Sequence, residues 1–570
     1  MFRPINGEDM TMIELDQKKR SGSYYTKPEI VSLILDILGY TSEKPLFEYS
    51  LLEPATGEGA FLVQVVERLI ESYKRYHVVN TLFSNQDYSF HLLRNAICSI
   101  EVDSLKYEKL RKNIFETLNK YNIPQTLITR LLDQWLISTD FLRWNKPVVQ
   151  TFDFVVGNPP YIRIENLNNI DDKHYRRVYP TLYDRADIYI AFIEHGLEML
   201  SNKGVLSYIC TDRFTKNRYG KEIRRYINGN YHVVHFVDIH NTQPFVDQVS
   251  AYPCIFTLQK GSEGISRTLK LNALSAKQLE NARSYLLKGE EIVDQDFSSH
   301  TLKNWFIGSD PWVLNGERAR ELLHKIEQSY PLITEAPHNI HVGIGVATGA
   351  NDIYLVKPNE VDLESDILLP IVTKDDIKTG QVDWSGKYVI NPYKNDGSLV
   401  DLEKYPKLMK YLNMHQERLK ARSTAKNSPS KWYKTIDRIY PERLSIPKLL
   451  IPDIKSKNLV VLDSGQYYPE HSLYYLTAGS WDIQALQALL SCSIVKFFIW
   501  SYATKMRGDY LRYQAQYLKK IRLPTDISID EIDLLKMYYH SGNLEGIEKL
   551  AQKLYSLTDD EMNDIRDLVN

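Results

Sequence analysis

Asn158-Pro159-Pro160-Tyr161 follows directly on Phe152-Asp-Phe-Val-Val-Gly157. The apolar, β-branched run reads as a buried parallel strand. Two successive prolines remove two backbone donors and stiffen the chain, and each presses the preceding residue into an extended conformation. The outcome is a rigid loop at the carboxyl end of a strand, where open α/β sheets place their ligands. A fixed polar acceptor beside an aromatic ring suits a planar, amine-bearing ligand such as a nucleobase. The bland alternative is a proline-rich turn after a core strand, and the motif alone does not choose between them.

Three acids upstream bear on that choice. Ser50-Leu-Leu-Glu-Pro-Ala-Thr-Gly-Glu-Gly-Ala-Phe61 reads as a strand ending in Glu53, a turn through Gly57 and Gly59, and a helix from Phe61. It is neither G-x-G-x-x-G nor a P-loop. A carboxylate before the glycines repels phosphate and attracts a cation, such as an amino group near a sulfonium. Ala96 to Asp103 reads as a second strand ending in Glu101, placed to accept from both ribose hydroxyls. Ile137 to Leu142 then supplies Asp140, an acceptor for an adenine amine, with Phe141 beside it. Singly, each is a surface acid at a loop. In order at strand ends ahead of Asn158, they point to a nucleoside-cofactor site. Thr26 is expected to N-cap a helix over 30–38, with Gly39 as its stop. Phe245, in a loop between the strands 233–239 and 255–258, is either a core contact or a second stacking face.

Composition bounds the rest. At 570 residues, 43% hydrophobic and 25% charged, the chain is ordinary globular and long enough for two or three domains. Net charge is −2, so nucleic-acid contact must come from local patches. Four scattered cysteines form no C-x-x-C pair, so neither a zinc knuckle nor a disulfide framework is expected, and no metal is called for. No leader is evident, and the nearest approach to a membrane span, 485–500, carries Gln487 and Lys496. The expectation is a soluble cytoplasmic protein with no membrane partner.

The order of motifs resembles the amino-group DNA methyltransferases, specifically the N6-adenine enzymes of gamma (TaqI-like) arrangement, over 21–260 by motif and more loosely over 300–525. That resemblance implies a Rossmann-like α/β domain with a mainly parallel sheet, then a mixed α/β target-recognition domain. Its cofactor is S-adenosyl-L-methionine. Thr26 and the Glu53-Pro54-Ala55-Thr56 turn, with Gly57 and Gly59, would hold the methionine part. Glu101 would hold the ribose and Asp140 the adenine, which Val102, Phe141 and Pro160 would sandwich. Asn158 and Pro159 would accept the amine of a flipped adenine, with Tyr161 and Phe245 stacked on its two faces. Many relatives have Asp where Glu53 stands and a further Gly near Ala55 and Thr56.

The expected division is a catalytic domain 1–262, a connector 263–303, a recognition domain 304–525 and terminal helices 526–570. Lys404 to Arg443 holds 11 Lys/Arg against three acids, interleaved with aromatics, and Lys505 to Tyr513 is a second basic candidate. Both suit phosphate tracking, the plain alternative being a solvated helical face. Gly343 to Asn351 reads as a loop between strands. The expected function is site-specific adenine methylation of double-stranded DNA by a monomer, alone or beside a separate restriction endonuclease. An RNA or protein-glutamine methyltransferase, or a silent DNA-binding module of a defence complex, are the alternatives.

Overall fold

The computed structural model describes residues 24–569 apart from 78–82, 145–150, 168, 248–251, 262–263, 291, 293, 295, 304, 306–307, 310, 313–315, 427, 456–458, 504 and 507–509. The chain divides into two compact units, Met1–Glu317 and Arg318–Asn570. Part of the loop after Phe245, the expected boundary at 304 and the middle of the 505–513 basic stretch lie outside the described residues.

The first unit is built on one sheet of nine strands: β1 (Leu51–Glu53), β2 (Ile97–Glu101), β3 (Leu136–Ser138), β4 (Phe152–Gly157), β5 (Leu200–Thr211), β6 (Tyr231–Asp238), β7 (Pro253–Lys260), β8 (Ile265–Leu271) and β9 (Phe297–Lys303). Their order is β3-β2-β1-β4-β5-β7-β6-β8-β9. The five strands from β3 to β5 are parallel, and β7 runs antiparallel between β5 and β6. This is the mainly parallel Rossmann-like sheet that the sequence led us to expect. The order reverses between β1 and β4, and such a switch point opens a crevice at the carboxyl ends of the strands. β1 and β2 are wholly buried because helices cover both faces. Helices α1 (Pro28–Leu38), α2 (Ala60–Tyr76) and α3 (Ser104–Asn119) each bury an apolar stripe on the sheet, in one cluster that includes Leu33, Val65 and Ile114.

Segment 263–303 is not a connector. It adds β8, which pairs with β6, and β9, which pairs with β8, to the nine-stranded sheet. Ser266 and Thr268 are buried in β8 and hydrogen-bonded to the Val233 and His300 carbonyls, so the strand carries polar residues and shows no apolar run. A basic helix spans Lys221–Asn230. Its Arg224 is buried, donating to the Phe214, Asn217 and Ser309 carbonyls, and serves the core.

The second unit carries two four-stranded sheets. One is ordered Val342–Ile344, Leu473–Leu476, Lys448–Pro452, Val461–Asp463; the other is ordered Leu355–Val356, Tyr388–Ile390, Leu368–Val372, Tyr468–Pro469. With the surrounding helices this is a mixed α/β unit. The glycines of 343–351 serve packing: a β-carbon at Gly343 would fall 2.4 Å from the Tyr475 ring and one at Gly345 2.2 Å from the Glu470 carbonyl oxygen. The apolar stretch 485–500 splits into Ile483–Leu490 and Ser493–Tyr502, bent by 64° and largely buried. Among the described residues no single helix is long and apolar enough to cross a membrane. The last three helices among the described residues are Ile529–His540, Leu544–Leu554 and Asp559–Val569.

Candidate functional site

The expected acids do come together. Glu53 is the last residue of β1 and Glu101 of β2, Asp140 lies two residues past β3, and Asn158 comes directly after β4. They line a cavity of about 240 Å³ that also takes in Thr26, the Pro54–Gly57 turn, Val102, Phe141 and Pro160. Every expected cofactor residue borders it except Gly59.

Gly57 and Gly59 divide the work of the turn. Gly57, at φ 61°, sends its N–H to Glu101 Oε2 at 2.7 Å. Gly59, at φ 100°, precedes α2 and faces α3, where a β-carbon would come within 2.9 Å of Leu110. Its role is close packing of two helices, not lining the cavity. The Thr56 hydroxyl is likewise turned inward, bonded to Ser99 Oγ at 2.6 Å and to the Ile100 carbonyl at 3.2 Å.

Glu53 and Glu101 lie close and differ in satisfaction. Glu101 also accepts the Asp103 N–H at 2.8 Å, so both its oxygens hold a backbone donor. Glu53 is 1% exposed, and its Oε2 is buried with no hydrogen-bond partner. Burial, then the charge of Glu101, pushes its carboxyl well above the usual carboxylate range. Such an oxygen facing a cavity calls for a cationic donor. Val102, 68% exposed, offers an apolar face at the rim.

Asp140 is more occupied than expected. It accepts the Leu142 N–H at 3.0 Å and the Tyr175 hydroxyl at 2.5 Å, and Arg143 Nε lies 3.3 Å away. A carboxylate has about four lone-pair sites, which leaves about one for a ligand. Tyr175 carries no local motif and is brought in by its helix, Asn169–Val178.

Thr26 does not cap α1; Lys27 holds that position, with Pro28 in the first turn. Thr26 instead forms an antiparallel bridge with Phe245, flanked by Lys27 N–H to Pro244 O and Val246 N–H to Tyr25 O, both 2.9 Å. This strap grips Asn158. The Asn158 Nδ2 donates to the Tyr24 carbonyl at 2.7 Å and to Thr26 Oγ1 at 3.3 Å, while Oδ1 is buried without a partner. The amide is therefore held by its nitrogen, with the oxygen left over.

Tyr161 is half-buried, and its hydroxyl donates to the Ile209 carbonyl at 3.3 Å. Burial raises that phenol well above its usual value. Phe245 is 2% exposed and belongs to the core cluster. Its ring centroid is 6.3 Å from that of Tyr161 at 72°, and the Tyr24 ring lies 5.5 Å from Tyr161 and 6.0 Å from Phe245. No open slot for a base exists between Tyr161 and Phe245 in this state, contrary to the expected pair of stacking faces. Tyr24, two residues before Thr26 and marked by no motif, occupies that space. Among the described residues no group of His, Cys, Asp or Glu could hold a metal ion.

A cavity at the switch point of a Rossmann-like sheet, ringed by acids and followed by a rigid acceptor, defines a nucleoside-cofactor enzyme. Residues 61–245 match the family model of the Eco57I restriction-modification methylase, and residues 369–523 that of the TaqI-like C-terminal specificity domain. The chain is 43% identical to Type II methyltransferase M.BstVI of Geobacillus stearothermophilus, over 98% of its own length and 100% of the relative's. It is 36% identical to Type II methyltransferase M.XhoI of Xanthomonas vasicola, over 96% and 98%. The chain belongs to the Type II methyltransferases of restriction-modification systems. It is a DNA methyltransferase, and its methyl donor is S-adenosylmethionine. In fold it is similar to the Type IIL restriction-modification enzyme MmeI in complex with DNA, at TM-score 0.60 and 12% identity, covering 95% of this chain and 76% of that one.

The cavity fits the donor. The unpartnered Glu53 oxygen suits a cationic amino-acid end, the Glu101 carboxylate a diol, and Val102, Phe141 and Pro160 a flat heterocycle.

Proposed function

We propose that the chain methylates the N6 amine of an adenine everted from duplex DNA. The observation that carries this reading is the Asn158 amide, anchored through Nδ2 with a buried, unpartnered Oδ1. The exocyclic amine of adenine is a poor nucleophile because its lone pair is delocalised into the ring. Asn158 Oδ1 accepts one of its N–H groups, and the Pro159 carbonyl accepts the other. Both interactions localise the lone pair and hold it in one orientation, so the chain supplies positioning and electrostatics. Bound S-adenosylmethionine supplies an electrophilic methyl group on a sulfonium. Thr26, Glu53, Pro54, Ala55, Thr56 and Gly57 hold its methionine part, Glu101 its ribose, and Asp140 its adenine between Val102, Phe141 and Pro160.

A base within a duplex cannot reach this loop, so it leaves the stack. Tyr161, fixed by its hydroxyl, offers one face, worth about 1–3 kcal/mol. The chain acts as a cytoplasmic monomer, one strand at a time, beside a separate restriction endonuclease of the same site.

The test is the product. Duplex DNA incubated with the protein and S-adenosylmethionine, digested to nucleosides and weighed, should yield N6-methyldeoxyadenosine. N4-methyldeoxycytidine as the sole product would refute the adenine reading and leave the acceptor chemistry standing.

A further inference from the structure

The 11 cations of 404–443 are not equivalent. Arg422 spends its guanidinium on the Thr348, Leu419, Trp432 and Lys434 carbonyls at 2.9–3.1 Å, which makes it a brace for the fold. Arg418 is paired with Asp352, and Lys407 with Asp362. Arg438 and Arg443 differ from these. Their guanidinium carbons lie over the one ring of Tyr440, 4.7 and 4.2 Å from its centroid. Among the described residues neither has a carboxylate within 4.0 Å.

The arrangement is built. Ile439, between Arg438 and Tyr440, is fully buried and pins the backbone. The Tyr440 N–H donates to the Tyr468 hydroxyl at 3.2 Å. Arg443 Nη1 donates to the Tyr475 hydroxyl at 3.3 Å. Arg438 packs on Gly397, where a β-carbon would fall 1.6 Å from the guanidinium carbon, and its Nε is buried without a partner. Arg438, Tyr440 and Arg443 all keep partial exposure.

Two like charges on one ring repel, and among the described residues the two guanidiniums make no hydrogen bond besides that of Arg443 to Tyr475. The stack fixes both planes in advance, so little side-chain entropy remains to be lost on binding. We infer that Arg438 and Arg443 read guanine in the major groove, each presenting two parallel N–H donors to O6 and N7. That pairing is the commonest base-specific contact of arginine. A phosphate needs no such stacked, half-buried plane and is served by mobile surface cations. Ile436, two residues before Arg438 and 55% exposed, adds an apolar side chain of the kind that meets a thymine methyl.

This inference rests on methylation of a defined DNA site, and the test separates the two. Single-molecule sequencing of DNA from a host expressing the full chain gives the site. Duplexes are then made with each guanine replaced singly by 7-deazaguanine, which lacks the N7 acceptor. kcat/KM is measured for the wild type, Arg438→Gln, Arg443→Gln and, as control, Arg418→Gln. For each reader arginine, one guanine should exist at which the wild type loses about 10-fold or more on 7-deazaguanine. The matching variant, weakened about 10- to 100-fold on ordinary DNA, should lose nothing further there, and Arg418→Gln should behave as wild type.

A wild type indifferent to every 7-deazaguanine overturns the inference without any variant. Variants that keep the wild-type response at every position, with a salt slope shallower by about one, overturn it in favour of phosphate contact. A site without G·C pairs also overturns it. A wild type that methylates no DNA overturns the underlying reading and this inference together.

Discussion

Asn158→Ala protein is expected to bind duplex DNA and S-adenosylmethionine as the wild type does, yet transfer methyl groups about 100- to 1,000-fold more slowly. The magnitude is that of losing one preorganised polar contact to a reacting group in a water-poor site. The substitution removes the amide, and the strap that held it keeps its own bridge: Thr26 stays paired with Phe245, and Val246 with the Tyr25 carbonyl. The fold and the cofactor cavity therefore persist. Single-turnover rates together with equilibrium titrations of both ligands separate the cases. A loss confined to the chemical step supports the acceptor role. A matching loss of either affinity would mean that Asn158 braces the site and does not act on the amine.

Glu53 should make cofactor binding depend on pH. Its carboxyl is raised by burial and by Glu101. A carboxyl raised in the folded state stabilises the empty protein below its unfolded value, about 4.3, and that contribution is lost as pH rises through the folded value. A cation bound beside Oε2 favours the carboxylate, so binding expels the proton. Affinity for S-adenosylmethionine should therefore climb with pH, by up to about tenfold per unit, and level off once the folded value is passed. Glu53→Gln should flatten the profile and lower affinity by about 10- to 100-fold, the worth of a charge-assisted hydrogen bond. Titration calorimetry at a series of pH values from the unfolded value upward reads the profile. A Gln variant with wild-type affinity and slope would remove Glu53 from the site.

The catalytic half was legible because its chemistry sits where strand periodicity stops. β1, β2 and β4 are apolar runs that end in Glu53, Glu101 and Gly157, and a parallel sheet brings consecutive strand ends to one edge. The less legible features depend on distant partners. Thr26 has the residue type of a cap and sits one position too early, so its hydroxyl meets Asn158, 132 residues away. Phe245 is sealed by Tyr24, a neighbour that no local pattern announces. β8 and β9 carry polar residues satisfied across the sheet, which made their segment look like a linker. In the basic stretch, Arg422 and Arg438 look alike in sequence, and only the carbonyls around one and the ring beneath the other divide them.

The measurement that bears most directly on the central claim is a structure of the protein with a duplex carrying its site and a non-reactive analogue of the methyl donor. The exocyclic amine of an everted adenine should lie about 3 Å from Asn158 Oδ1, with Tyr161 against the base and Nδ2 still on the Tyr24 carbonyl. A target base left in the helical stack, or an Asn158 turned so that Oδ1 bonds within the protein, would contradict the account.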